Sequence, residues 1–207
     1  MCRNSGGEKV KEEWKVRGRR FISPVVSVLV KYKVHPNILT VAGLWITVCA
    51  SILYAEGAFR WGALVMLFGG LFDAIDGEVA RRSGRVSVFG AFLDSTLDRF
   101  SDFFIFGGLI YYYRNNLIFF IALYVAVIFT LMISYIRARA EGLGYSPRSG
   151  PMDRTGRYFF IVITTFLGPE IFRWFIFVFI ILVFITVVRR WKELYNYFKI
   201  NNKKQIS

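Results

Sequence analysis

Eight residues in two neighbouring hydrophobic stretches could do chemistry together: Asp73, Asp76, Gly77, Ala80 and Arg81 in the first, Gly90, Asp94 and Asp98 in the second. An ionised Asp at bilayer depth costs at least a few kcal/mol, so a hydrophobic segment that keeps several is using them. At about 100° per residue the first five fall within one broad face of a helix, and the last three share a narrower face of the next. Gly77, Ala80 and Gly90 are small enough to let two such helices approach closely, which would draw the four carboxylates into one pocket. Four acids at that range cannot all stay ionised without cations. Their all-oxygen donor set, with no Cys or His beside it, suits a hard divalent ion, Mg²⁺ or Mn²⁺, rather than zinc.

The elements that must position these residues are membrane helices. A chain of 207 residues allows one domain, and 55% hydrophobic with 18% aromatic residues exceeds what a soluble domain of that size carries. The expected class is an all-α integral membrane protein with six transmembrane helices, near 37–55, 61–81, 86–112, 117–140, 153–168 and 171–188, most of them close to the ~20 residues a bilayer requires. Ser23-Pro24 resembles a helix start, and Val25, Val28, Leu29 and Tyr32 then recur at helical spacing, which predicts an interfacial amphipathic helix before the first span. Three parts follow: an N-terminal cytoplasmic segment, 1–35; a membrane domain, 36–190; and a basic cytoplasmic tail, 191–207.

Basic residues set the orientation. Nine Lys and Arg precede the first span and six follow the last, while alternate loops hold only Arg60, Arg114 and Arg173. The positive-inside rule then puts both termini and the aspartate site on the cytoplasmic side of a multi-pass cell-membrane protein. The net charge of +13 is parcelled among loops between spans, which favours anionic membrane lipids over nucleic acid as partner. The first 35 residues are too charged for a secretory signal peptide. Cys2 and Cys49 imply no disulfide framework, and His35, before Pro36, is an interface residue rather than a metal ligand.

The pattern Asp73-x2-Asp76-Gly77-x2-Ala80-Arg81-x8-Gly90-x3-Asp94-x3-Asp98 resembles the signature of the CDP-alcohol phosphatidyltransferases at every position. In that family an alcohol hydroxyl attacks the β-phosphorus of a CDP-linked lipid and displaces CMP. The resemblance implies that Asp73, Asp76 and Asp94 are principal ligands of two Mg²⁺ or Mn²⁺ ions. Asp98 would lie near the metals and act as general base. It further implies that Gly77 and Ala80 leave room for the nucleotide, that Arg81 reaches a phosphate oxygen, and that Asn37 and Thr40 of the Pro36-Asn37-x2-Thr40 opening approach the nucleotide. As an alternative, Asn37 and Thr40 simply cap the first span. The family is usually dimeric, so a homodimer is expected.

For the acceptor, Ser134 to Glu141 and Asp153-Arg154-x2-Arg157 resemble the branch that uses inositol 1-phosphate, with Arg137, Arg154 and Arg157 gripping its phosphate. Guanidinium forks suit a dianionic phosphate. Asp153 stands where that branch often has Glu. Other acceptors remain open: glycerol phosphate, serine, or inositol phosphate with CDP-inositol as donor. A divalent-cation transporter would also need intramembrane acids, but it has no use for Arg81 and two glycines on the acidic face.

Overall fold

The computed structural model describes residues 22–147 and 150–206, the last six of them by backbone alone. The stretch 1–21, with Cys2, lies outside the described residues. Every regular element described is a helix: α1 (Ile22–Lys31), α2 (Pro36–Ala55), α3 (Phe59–Arg82), α4 (Val88–Tyr112), α5 (Leu117–Gly142), α6 (Arg154–Phe166) and α7 (Pro169–Ile206). Among them α2, α5 and α7 are long and apolar enough to cross a membrane. α3 and α4 match them in length, at 24 and 25 residues, but their apolar runs are broken by the acids that single them out. α6 has 13 residues, about 20 Å at the helical rise.

Helix starts are fixed by side chains that satisfy orphan backbone donors. His35 Nδ1 accepts from the Asn37 N–H at 3.3 Å ahead of α2, which gives the lone histidine a capping role. Ser87 Oγ accepts from Gly90 N at 2.9 Å, Asn116 from Phe119 N at 3.4 Å, and Asp153 from Gly156 N at 2.7 Å, opening α4, α5 and α6.

The chain divides into two compact units. The first joins α1, the opening of α2, the end of α3 and the opening of α4. Its core is Val26, Leu39 and Val79, with Ile22, Leu29, Phe72 and Ile75 packed against them. α1 is helical as expected, but the residue it buries is Val26, while Val25, Val28 and Tyr32 are half exposed or more. Arg82 NH1 donates to Ser23 Oγ at 3.0 Å and Arg85 NH1 to the Lys33 carbonyl at 3.0 Å, so the end of α3 is tied to both ends of α1.

The second unit holds the rest of α2, α3 and α4 with α5, α6 and α7, and α7 packs along α5 and against α6. Tyr54, Leu109, Leu123, Phe172 and Phe179 are fully buried in its core. Buried hydroxyls are spent internally, as burial demands: Tyr54 Oη shares a 2.9 Å bond with Thr165 Oγ1, and Ser51 Oγ donates to the Phe104 carbonyl at 2.5 Å. Gly108 is the tightest point. A Cβ there would lie 2.1 Å from the Ser51 carbonyl oxygen.

Candidate active site

In the first unit three of the signature carboxylates face a common environment. Asp76 is 5% exposed; the Thr40 hydroxyl and the Gly77 N–H stand beside its carboxylate, and the charges of Asp73 and Asp94 act on it. Its Oδ2 is buried with no hydrogen-bond partner. An orphaned buried carboxylate oxygen costs a few kcal/mol, a cost that a bound cation removes. Among the described residues no three acidic, imidazole or thiol groups are gathered as a ready cage. The donor set nevertheless fits a hard cation, because Asp76 presents an unspent oxygen and its neighbours are carboxylates.

The small residues around these acids serve particular contacts. Gly43 of α2 is buried against Asp73, whose Oδ1 would lie 3.4 Å from an added Cβ. Gly90 of α4 faces Asn37, whose Oδ1 would be 3.5 Å away. Thus Asn37 and Thr40, one turn apart on α2, point to α4 and α3 respectively, beyond any local capping. Thr40 also back-bonds to the Pro36 carbonyl at 3.2 Å. Gly43 was not singled out by the sequence, where it reads as one more glycine in an apolar helix.

Arg81 lies over Gly77, its NH1 3.5 Å from where a Cβ would stand. Its Nε and NH2 donate to Glu78 Oε2 at 3.1 and 2.8 Å, and Arg82 Nε donates to Glu78 Oε1 at 2.9 Å. Glu78, at an unspecified position of the signature and 8% exposed, therefore orients both guanidiniums. Sequence reasoning missed it because any residue satisfies the pattern there.

In the second unit Asp98, one turn beyond Asp94 on α4, is ion-paired with Arg154 at the start of α6. Arg157, one turn further along α6, is 4% exposed; its NH2 donates to Asp102 Oδ2 at 3.2 Å and its NH1 to the Met152 carbonyl at 3.4 Å. Its Nε is buried without a partner. Arg190 of α7, also buried, donates from NH1 to the Ile133 carbonyl at 2.9 Å and feels the charges of Arg157 and Arg137. Arg137 itself is exposed and paired to Glu141 at 2.9 Å. The three arginines expected to act alike thus occupy three settings. Arg190, which the sequence offers only as one of several basic residues ending an apolar helix, joins Arg157 as a buried cation. Asp153, in the place where Glu was expected, accepts from the Gly156 N–H as the α6 N-cap, a position for which Asp is among the preferred residues.

Comparison with known proteins follows the same lines. Residues 33–194 match the family model described as CDP-alcohol phosphatidyltransferase. The archaetidylinositol phosphate synthase of Methanothermobacter thermautotrophicus is 37% identical over 157 residues, covering 76% of this chain and 77% of that one. A phosphatidylinositol phosphate synthase of Mycobacterium tuberculosis is 33% identical over 157 residues, 74% of this chain and 71% of its own. The crystal structure of M. tuberculosis phosphatidylinositol phosphate synthase with CDP-DAG bound superposes with a TM-score of 0.80 at 28% identity, over 85% of this chain and 94% of that one. The same enzyme in complex with manganese and citrate gives 0.78, over 83% and 88%. With the whole signature present and most of its length matched, the chain belongs to the CDP-alcohol phosphatidyltransferase family.

Proposed function

We propose that this enzyme transfers a phosphatidyl-type group, diacyl or ether-linked, from a CDP-lipid to the hydroxyl of inositol 1-phosphate, releasing CMP. The observation that carries the acceptor is the pair of buried guanidiniums, Arg157 and Arg190, one of them with an unspent buried Nε. Arg157 spends NH2 on Asp102 and NH1 on the Met152 carbonyl but keeps its buried Nε unspent, and a phosphate dianion is the anion that guanidinium forks fit best. The names of the relatives, archaetidylinositol phosphate synthase and phosphatidylinositol phosphate synthase, support the same acceptor. The test is CMP release from a CDP-lipid with inositol 1-phosphate, inositol, glycerol 3-phosphate or serine offered singly. Turnover with any of the last three and none with the first would reject the assignment.

Asp73, Asp76 and Asp94 would hold the divalent ions, Mg²⁺ or Mn²⁺ and two in number, with Asp98 beside them. When bound, such ions neutralise the pyrophosphate and the charge developing on CMP. Asp98, ion-paired with Arg154, accepts the proton of the attacking hydroxyl. Asn37, Thr40, Gly77 and Ala80 border the nucleotide, and Arg81 offers it a guanidinium. Glu78 fixes that guanidinium. Glu78→Gln is expected to raise KM for the CDP-lipid about fivefold, from a loss of roughly 1 kcal/mol in a partly exposed charge pair. KM for the acceptor should not move in the same steady-state assay.

The buried arginines should outweigh the exposed one. Arg157→Gln and Arg190→Gln are each expected to lower acceptor kcat/KM by about 10- to 100-fold, the equivalent of a charge-assisted bond of roughly 1.5–3 kcal/mol. Arg137→Gln should cost much less, since its guanidinium is exposed and already engaged by Glu141. CDP-lipid binding by calorimetry should stay near wild type in all three, which separates lost acceptor grip from lost fold.

In the membrane, α2 to α7 make the six crossings, α1 lies on the cytoplasmic surface with Val25, Val28 and Tyr32 in the headgroup boundary, and both termini are cytoplasmic. The transferase domain runs over 36–190, between the N-terminal segment and the basic tail. Phe103 and Tyr111, both more than half exposed on α4, supply apolar area for pairing two copies.

A further inference from the structure

α7 is longer than a membrane crossing needs. Its 38 residues measure about 57 Å at 1.5 Å each, while a hydrocarbon core of about 30 Å takes about 20 residues. Past Arg190 it carries Trp191, Leu194, Tyr195 and Phe198, an i, i+3, i+4, i+7 stripe, where a solvated helix end would be polar. This stripe faces the end of α5, and with Ile136, Ala140 and Leu143 it lines an open apolar cavity of about 310 Å³. Trp191 and Tyr195 remain 66% and 61% exposed, so neither helix covers the other's apolar surface.

One charged side chain lines this cavity, and it is a cation. Arg139 lines it and forms no ion pair among the described residues. Lys192 and Lys199 fall on one flank of the α7 stripe, and Lys199 Nζ stands 6.0 Å from the Tyr195 ring centroid. The one acid on this stretch of α7, Glu193, is engaged by the Tyr145 hydroxyl at 2.6 Å. Aromatic side chains at the membrane boundary beside unpaired cations are the setting in which anionic headgroups are held.

The geometry points to a binding site for one anionic phospholipid of the cytoplasmic leaflet, with an acyl chain in the α5–α7 cavity and its phosphate on Arg139 and Lys192. A zwitterionic lipid fills the cavity equally well but brings its own cation toward the arginine. A second copy of the chain seated there would set like charges against each other. The site rests on the membrane placement of the chain and not on the transfer reaction, so it is read without turnover.

The full-length protein in detergent, equilibrated with equal amounts of phosphatidylglycerol and phosphatidylcholine, is examined by native mass spectrometry. Retention of one phosphatidylglycerol at least fivefold over phosphatidylcholine is expected, falling to near parity in Arg139→Gln. Location is read separately from the fluorescence that disappears in Trp191→Phe. In mixed bilayers that component should be quenched at least threefold more by acyl-dibrominated phosphatidylglycerol than by the matching phosphatidylcholine. Equal retention of the two lipids, selectivity unchanged in Arg139→Gln, or equal quenching of Trp191 by both would each overturn the site. If Arg139→Gln does not fold, the quenching measurement on the Arg139 protein decides alone.

Discussion

Asp98→Asn is expected to lower kcat by on the order of 10²-fold or more while CDP-lipid affinity stays near wild type. A group that takes a proton in the transition state contributes little to ground-state binding, and removal of a general base costs about 10²- to 10⁴-fold. The ion pair with Arg154 supplies the control. If Asp98 only anchored the start of α6 through that pair, Arg154→Gln would match Asp98→Asn in kcat. If Asp98 is the base, Arg154→Gln should retain most of kcat, because the carboxylate remains. CMP release at saturating substrates measures both variants, and calorimetry with CDP checks binding. Equal losses in the two would move the proton to another acceptor.

The second large effect has opposite signs on activity and stability. Asp76→Asn removes the carboxylate whose Oδ2 is buried without a partner, so activity should fall by at least about 10²-fold, the upper range of what outer-shell losses alone cost at metal sites. In EDTA, however, the variant should melt at the same temperature as wild type or higher, since a buried unpaired charge has become neutral. Wild type should gain thermal stability on addition of Mn²⁺, and the variant should lose most of that gain. A variant that melts lower in EDTA yet keeps its Mn²⁺ response would assign Asp76 to the fold rather than to the ion. Wild-type turnover undiminished in excess EDTA would end the metal assignment altogether.

The sequence carried the helices and the acidic signature because both are local. Asp73 and Asp76 share a face through helical periodicity alone, and the capping residues Ser87, Asn116 and Asp153 act within three residues of themselves. What it could not carry depends on long separations in the chain. Arg157 and Arg137 look equivalent as basic loop residues, yet the first is 4% exposed because α6 directs it at Asp102, 55 positions earlier. Arg190 resembles Arg189 in sequence, and only the packing of α7 on α5 sends one of them inward to the Ile133 carbonyl. Glu78 was hidden for another reason: a signature specifies what it fixes and is silent between.

The close passage of α2 and α4 at Gly108 bears on how sequence variation in this enzyme should be interpreted. With a Cβ only 2.1 Å from the Ser51 carbonyl oxygen, position 108 admits no side chain unless two helices separate, and the Ser51 to Phe104 bond beside it would be broken. In a saturation screen position 108 would therefore be as intolerant as an active-site aspartate, though it touches no substrate. Residual protein abundance distinguishes the two kinds of intolerance: Gly108→Ala should deplete the protein from the membrane, whereas Asp98→Asn should leave it abundant and inactive.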